Sequence, residues 1–257
     1  VERHGFDPDA WVHELTDAQI RIYDAYSEAW SIIHHNLEAA LEATRIVDED
    51  NKDTLNRNAK AAALSFFEGT KQRFFAQLLL SMKLPSLFPA IEEALSADHS
   101  VVVQLVSTSE AMLDRRLADL SDEERAALDI DLSPREYVVD YLMKSFPVRL
   151  MQVFTDEEGH VRSEPMSDAA GNPVMCPRAV AARDRLVEQL CALPPIAAAL
   201  DAIIARFGTA QVAEVTGRTR RLVQDTRGQQ KLENRSARSN LTEANAFMNG
   251  SKRILVF

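Results

Sequence analysis

Behind Leu15-Thr16-Asp17-Ala18-Gln19, apolar residues recur at steps of three and four: Ile20, Tyr23, Tyr26, Trp30, Ile33, Leu37 and Leu41 fall on one stripe. That is the spacing of an amphipathic helix. Thr16 and Gln19 stand at capping-box separation, so a long helix is expected over about residues 15 to 47. The polar stretch Asp48 to Asp53 predicts a turn, and Thr54 to about Met82 a second helix. Its Phe66, Phe67, Phe74, Phe75, Leu78, Leu79 and Met82 make it apolar enough for a central packing element, and the Phe pairs read as core. Pro85 interrupts the pattern. Leu87 to Leu95 then predicts a third helix with Pro89 near its first turn, where a missing N–H is tolerated.

The periodicity changes at Ser100. Val101-Val102-Val103-Gln104-Leu105-Val106 is a β-branched run of strand length, and Ser107-Thr108-Ser109-Glu110 ends it and can cap a helix from Ala111. The order repeats: a helix over 196–207 stopped by Gly208, a short strand over 211–215, a turn at Thr216-Gly217-Arg218. After a basic linker come a short helix over 241–248, a stop at Asn249-Gly250 and a strand over 253–257. Strands alternating with helices predict a parallel sheet flanked by helices, an α/β fold. Between the first two strands lies a long excursion, about residues 120 to 195. It reads as an inserted α+β subdomain with hairpins at 153–161 and 168–174, turned by Gly159 and by Gly171-Asn172, and a helix from Arg178 to Leu193.

The apolar strand Ile254-Leu255-Val256-Phe257 closes the sequence and Val1 opens it, so the chain is expected to be a piece of a larger protein whose sheet leaves an unpaired edge. Through such an edge two copies would pair. No apolar run approaches the roughly 18 residues of a membrane span. No signal-peptide pattern opens the chain, and Cys176 and Cys191 form neither a zinc set nor a disulfide framework. A cytoplasmic protein without membrane contact is the expectation.

Net charge changes the picture once it is divided. The chain carries -10 overall, which argues against a general nucleic-acid binder. From Arg206 to Phe257, however, Arg206, Arg218, Arg220, Arg221, Arg227, Lys231, Arg235, Arg238, Lys252 and Arg253 face only Glu214, Asp225, Glu233 and Glu243. That segment holds about +6 and the rest about -16, a split that suits a local anionic partner; a solvated basic loop is the plain alternative.

Chemistry-bearing motifs are few. The sequence contains no GxxxxGK[ST] phosphate loop, no HExxH, no GxSxG and no CxxC, so no catalytic residue and no metal ligand is assigned. Asp156-Glu157-Glu158-Gly159 lacks the ligand spacing of a calcium loop and reads as a hairpin tip. Two strand ends remain. Gln104, Ser107 and Thr108 follow the first strand, and Thr216, Gly217 and Arg218 follow the second. The carboxyl edge of a parallel sheet is where such folds bind ligands, and hydroxyls, amides and an arginine there suit a phosphodiester backbone.

A family resemblance runs through the same residues. Gln72-Arg73-Phe74-Phe75, Lys83, the run Val101 to Ala111, Ala213-Glu214-Val215-Thr216-Gly217-Arg218, and Asn240 to Phe257 with Glu243, Phe247, Met248, Gly250 and Lys252 resemble, in order, strawberry notch-type proteins of helicase superfamily two, most of all the bacterial branch. The resemblance covers most of the chain from about Leu15 and is vaguest around 150–175. It implies an incomplete RecA-like sheet, with residues 1–95 as a helical connector between lobes and 96–257 as part of the second RecA-like domain, carrying the insertion at about 120–195. It also implies a parent protein that couples ATP and magnesium to movement on DNA or RNA, with a first RecA-like lobe as the missing partner. Gln104, Ser107, Thr108, Thr216, Gly217 and Arg218 then touch the nucleic-acid backbone, with Arg220 and Arg221 extending the track. The competing expectation is a non-enzymatic protein-interaction module.

Because ATP sits between two lobes and needs its phosphate loop, these 257 residues alone are expected to release no phosphate from ATP. A phosphate-release assay tests this: turnover abolished by a substitution within the chain would contradict it.

Overall fold

The computed structural model describes residues 12–106, 133–194, 196–224 and 230–257. Thr16 and Gln19 form the expected capping box at the start of α1, Asp17–Ala43. Its stripe Tyr26, Trp30, Ile33, Leu37, Ala40 and Leu41 is buried. Asn56 caps α2, Arg57–Met82, by accepting from the Ala59 N–H. Phe67 and Phe74 are core and Phe75 packs against Tyr23, but Phe66 faces solvent. Neighbouring helical positions are about 100° apart, and α2 buries the Phe67 side. The third helix starts earlier than predicted: α3 spans Leu84–Ser96, with Pro85 in its first turn and Pro89 inside it. Pro85 therefore opens this helix instead of interrupting the chain. Pro89, lacking an N–H, cannot donate the helix bond to the carbonyl four residues before it.

The predicted excursion contains α4, Arg135–Lys144, the hairpin strands β2, Met151–Thr155, and β3, Val161–Pro165, and α5, Pro177–Cys191. The second predicted turn is present as the Ser167–Pro173 bridge. These elements pack on the N-terminal helices: Trp30 lies 5.4 Å from Phe67 and 6.4 Å from Tyr141 by ring centroids, and Tyr26 lies 4.9 Å from Phe74. Val138, Tyr141, Leu142, Met151, Cys176, Leu186 and Leu190 share one core with α1 and α2. Met151 donates its N–H to the Thr44 carbonyl at 2.9 Å, and Cys176 donates its thiol to that of Ala43.

A second core holds the sheet. Strands β1, Val101–Val103, β4, Val212–Glu214, and β7, Ile254–Val256, are parallel in the order β1-β7-β4. Val101, Ile254 and Val212 lie in one row, and Val103, Val256 and Glu214 in another. Helices α3 and α6, Ala199–Phe207, cover Val103, Val212, Ile254 and Val256 through Leu84, Ile91, Leu200, Ile203 and Ile204. The architecture is an α/β fold whose three-stranded parallel sheet among the described residues is consistent with an incomplete RecA-like helicase C-terminal fold. Strand β7, the last in the sequence, is the central strand of the three, and its Ile254 and Val256 are completely buried. Helix α3, grouped by sequence with the connector, packs on the sheet.

The basic linker was not foreseen as structure. It contains the antiparallel hairpin of β5, Arg220–Gln224, and β6, Gln230–Asn234, in register Leu222 to Leu232, followed by α7, Ala237–Met248. Among the described residues no single helix is long and apolar enough to cross a membrane.

Because Trp30 joins α1, α2 and α4 through three aromatic contacts, Trp30→Ala is expected to cost about 3–5 kcal/mol. Urea denaturation measures it; a loss below about 1 kcal/mol, the scale of an ordinary single substitution, would mean that this core is not shared.

Candidate nucleic-acid interface

The register of the sheet decides which residues meet at its carboxyl edge. Val215 donates to Val256, Phe257 to Val103 and Leu105 to Phe257, so the chain leaves β1 and β4 on either side of β7. Gln104 and the turn Thr216-Gly217-Arg218 thus lie at one edge, two strand spacings apart, about 10 Å. Gln104 and Gly217 are exposed. Ser107, Thr108, Glu110 and the helix expected from Ala111 lie outside the described residues.

The other two predicted residues are turned inward. Thr216 is buried, and its hydroxyl donates to Glu214 Oε1 at 2.8 Å. The side chain of Arg218 is 1% exposed; it pairs with Asp201 at 2.8 Å and with Glu214 at 3.3 Å. Asp201 stands in the first turn of α6, the helix that leads through Gly208 into the start of β4. Arg221, expected to extend a surface track, is also buried, 2.7 Å from Glu233 and 3.4 Å from Glu214. Alternation along β5 carries Arg221 inward and Arg220 outward.

Sequence reasoning passed over the two residues that organise this cluster. Glu214 ends β4 with no exposed surface, yet its carboxylate receives three guanidinium groups, those of Arg218, Arg221 and Arg235. Arg235 reaches back from the end of the hairpin: Nη1 donates to Glu214 Oε1 and to the Arg218 carbonyl, both at 3.0 Å, and Nη2 to the Glu214 carbonyl and to Asn240 Oδ1. Asn240 donates in turn to the Thr216 carbonyl at 2.7 Å. The carbonyls of residues 214, 216 and 218 are therefore all held inside. An acidic residue at the last position of a short buried strand, followed by five arginines within 21 positions, was the available signal.

Electrostatics follow from this packing. Burial pushes the Asp201 carboxyl above its ordinary range, against the pull of Arg218. The Arg221 hydrogen bond holds Glu233 below the usual carboxylate value, and burial lowers the Arg235 guanidinium although Glu214 opposes it. Three buried cations against Glu214, Asp201 and Glu233 give a node near neutrality. Elsewhere, the Asp156 carboxylate receives the N–H groups of Glu158 and His160 and pairs with Arg162, a self-satisfied hairpin tip.

Removing one partner of a buried charge cluster strands the others. Glu214→Ala is expected to destabilise the fold by about 3–5 kcal/mol, more than any single exposed arginine; equal urea midpoints for Glu214→Ala and the native chain would contradict this ordering.

Residues 198–257, which contain α6, the node, the hairpin, α7 and β7, match the helicase family model described as the C-terminal domain on Strawberry notch homologue. No curated protein and no solved structure matches the chain. Over that segment the chain is similar to a strawberry notch-type helicase C-terminal domain.

Proposed function

We propose that this chain supplies the inter-lobe helices and part of the second RecA-like domain of an ATP-dependent nucleic-acid helicase or translocase of strawberry notch type, in its bacterial branch. In this reading residues 1–95 connect the lobes, residues 96–257 belong to the second lobe, and the 120–195 insertion branches from it. The observation that carries the reading is the convergence of Gln104 and Thr216-Gly217-Arg218 at one carboxyl edge, within and beside the segment similar to the helicase family. Exposed amides and a carboxamide at such an edge position a phosphodiester backbone without reading bases. Ser107 and Thr108 continue the same segment. Thr216 and Arg218 act from behind it, holding the turn that presents Gly217.

This chain contains no phosphate loop, so no step of ATP chemistry is assigned to its residues. ATP and magnesium belong with a first RecA-like lobe, the partner this reading requires. A cytoplasmic site, where nucleotide and nucleic acid meet, goes with it. A second reading, a protein-interaction module, draws on two open hollows of about 250 and 290 Å³ along the seam of α1 and α5.

The test is fluorescence anisotropy of a labelled single-stranded oligonucleotide against the chain over a salt series. Salt-sensitive binding that Gly217→Asp weakens, with an unchanged melting midpoint, is expected. Binding unaffected by Gly217→Asp, or no binding at low salt, would contradict the edge as the contact.

A further inference from the structure

Of the cations of the basic segment whose side chains the structure describes, two are left outside ion pairs. Arg206 pairs with Glu92, Lys252 with Glu243 and Arg253 with Asp98, while Arg218, Arg221 and Arg235 are buried around Glu214. Among the residues whose side chains the structure describes, Arg220 and Arg238 remain, both exposed and neither in an ion pair. They are not scattered. Arg220 is the cross-strand partner of Asn234, the Arg235 N–H donates to the Thr219 carbonyl at 2.7 Å, and Arg238 follows Asn234 by four positions. Asn240, two positions after Arg238 in α7, donates to the Thr216 carbonyl at 2.7 Å, and Arg220 follows Gly217 by three positions, so both arginines stand on segments that adjoin this turn.

Two further features make this space favourable for an anion. Arg238 stands in the first turn of α7, whose first turn carries no acidic residue. A cation there opposes the helix dipole, where an anion is favoured. In the neighbouring turn, Arg235 and Asn240 bind the carbonyls of residues 214, 216 and 218 on the inside, so these acceptors do not face the edge. Uncompensated positive charge beside a turn with its carbonyls withdrawn is a local conflict with stability of the kind that marks functional surfaces.

We infer that Arg220 and Arg238 are the phosphate-contacting cations of this edge, flanking Gly217, and that the bound chemistry is the phosphodiester backbone of a single strand. This rests on the nucleic-acid reading above and transfers the cationic role from Arg218, a positioning residue, to the two exposed arginines.

The experiment compares the native chain with the double variant Arg220→Gln/Arg238→Gln, using a fluorescein-labelled oligothymidylate in an anisotropy titration over a range of salt. Each lost phosphate contact on a single strand lowers the slope of log K against log salt by about 0.7, so a loss of about 1.4 is expected, with weaker binding to every sequence tested. The thermal midpoint should not move, because neither side chain is buried. Native binding with unchanged affinity and slope in the double variant would overturn this inference and leave the edge reading standing. No binding by the native chain would overturn both. Equal displacement of the oligonucleotide by polyglutamate of matched charge would also overturn it, showing a surface for acidic peptide.

Discussion

A carboxylate without water must be surrounded by positive charge or give up its own, and Glu214 is surrounded. Its position at the last residue of β4 places a full charge in the same row as Val103 and Val256, where burial of an unpaired ion would cost several kcal/mol. Arg218, Arg221 and Arg235 answer that cost from three different parts of the chain: the turn after β4, the inner face of β5 and the exit of β6. The hairpin, the turn and the start of α7 are thereby tied to one strand end. Exchanging the node for apolar residues could preserve stability, since buried ion clusters are weak stabilisers; what it supplies here is the course of the backbone, because the same Arg235 that neutralises Glu214 also fixes the carbonyls of Glu214 and Arg218.

The remainder of the fold holds this edge from behind. Helices α3 and α6 cover the sheet face that carries Val212 and Val256, and α6 brings Asp201 to Arg218. The aromatic core around Trp30 and Phe74 belongs to α1, α2, α4 and α5, separate from the apolar cluster under the sheet. Among the described residues the buried ion cluster lies at one end of the three-stranded sheet, while the helices are joined by apolar contacts and scattered hydrogen bonds such as that from Gln19 to the Met82 carbonyl.

Much of this was readable from periodicity. Thr16 with Gln19, the stripe ending at Leu41, Gly208 as a helix stop and the alternation of helix with β-branched strand all act locally, and the structure follows them. Three things were not readable. The β5–β6 hairpin mixes Arg, Leu, Val and Gln without a clean apolar alternation, because the face that carries Val223 also carries Arg221 and Glu233, which pair with each other. The central place of β7 depends on pairing between segments more than 150 residues apart, Val101 with Ile254. The fate of Arg218 depended on Asp201 and Glu214 being brought to it by α6 and β4; spacing alone gave it the same appearance as Arg220, which faces the opposite way.

The central claim is that the carboxyl edge beside β7 meets a nucleic-acid backbone through Gly217 and its flanking arginines. An amide and guanidinium NMR titration of the isotopically labelled chain with a single-stranded oligonucleotide tests it most directly. The account predicts saturable shifts at the backbone amides of Gln104 and Gly217 and at the Nε–H groups of Arg220 and Arg238, with Arg218 and Arg235 moving little. Shifts confined to the α1 and α5 helices, or absent at the sheet edge, would contradict it.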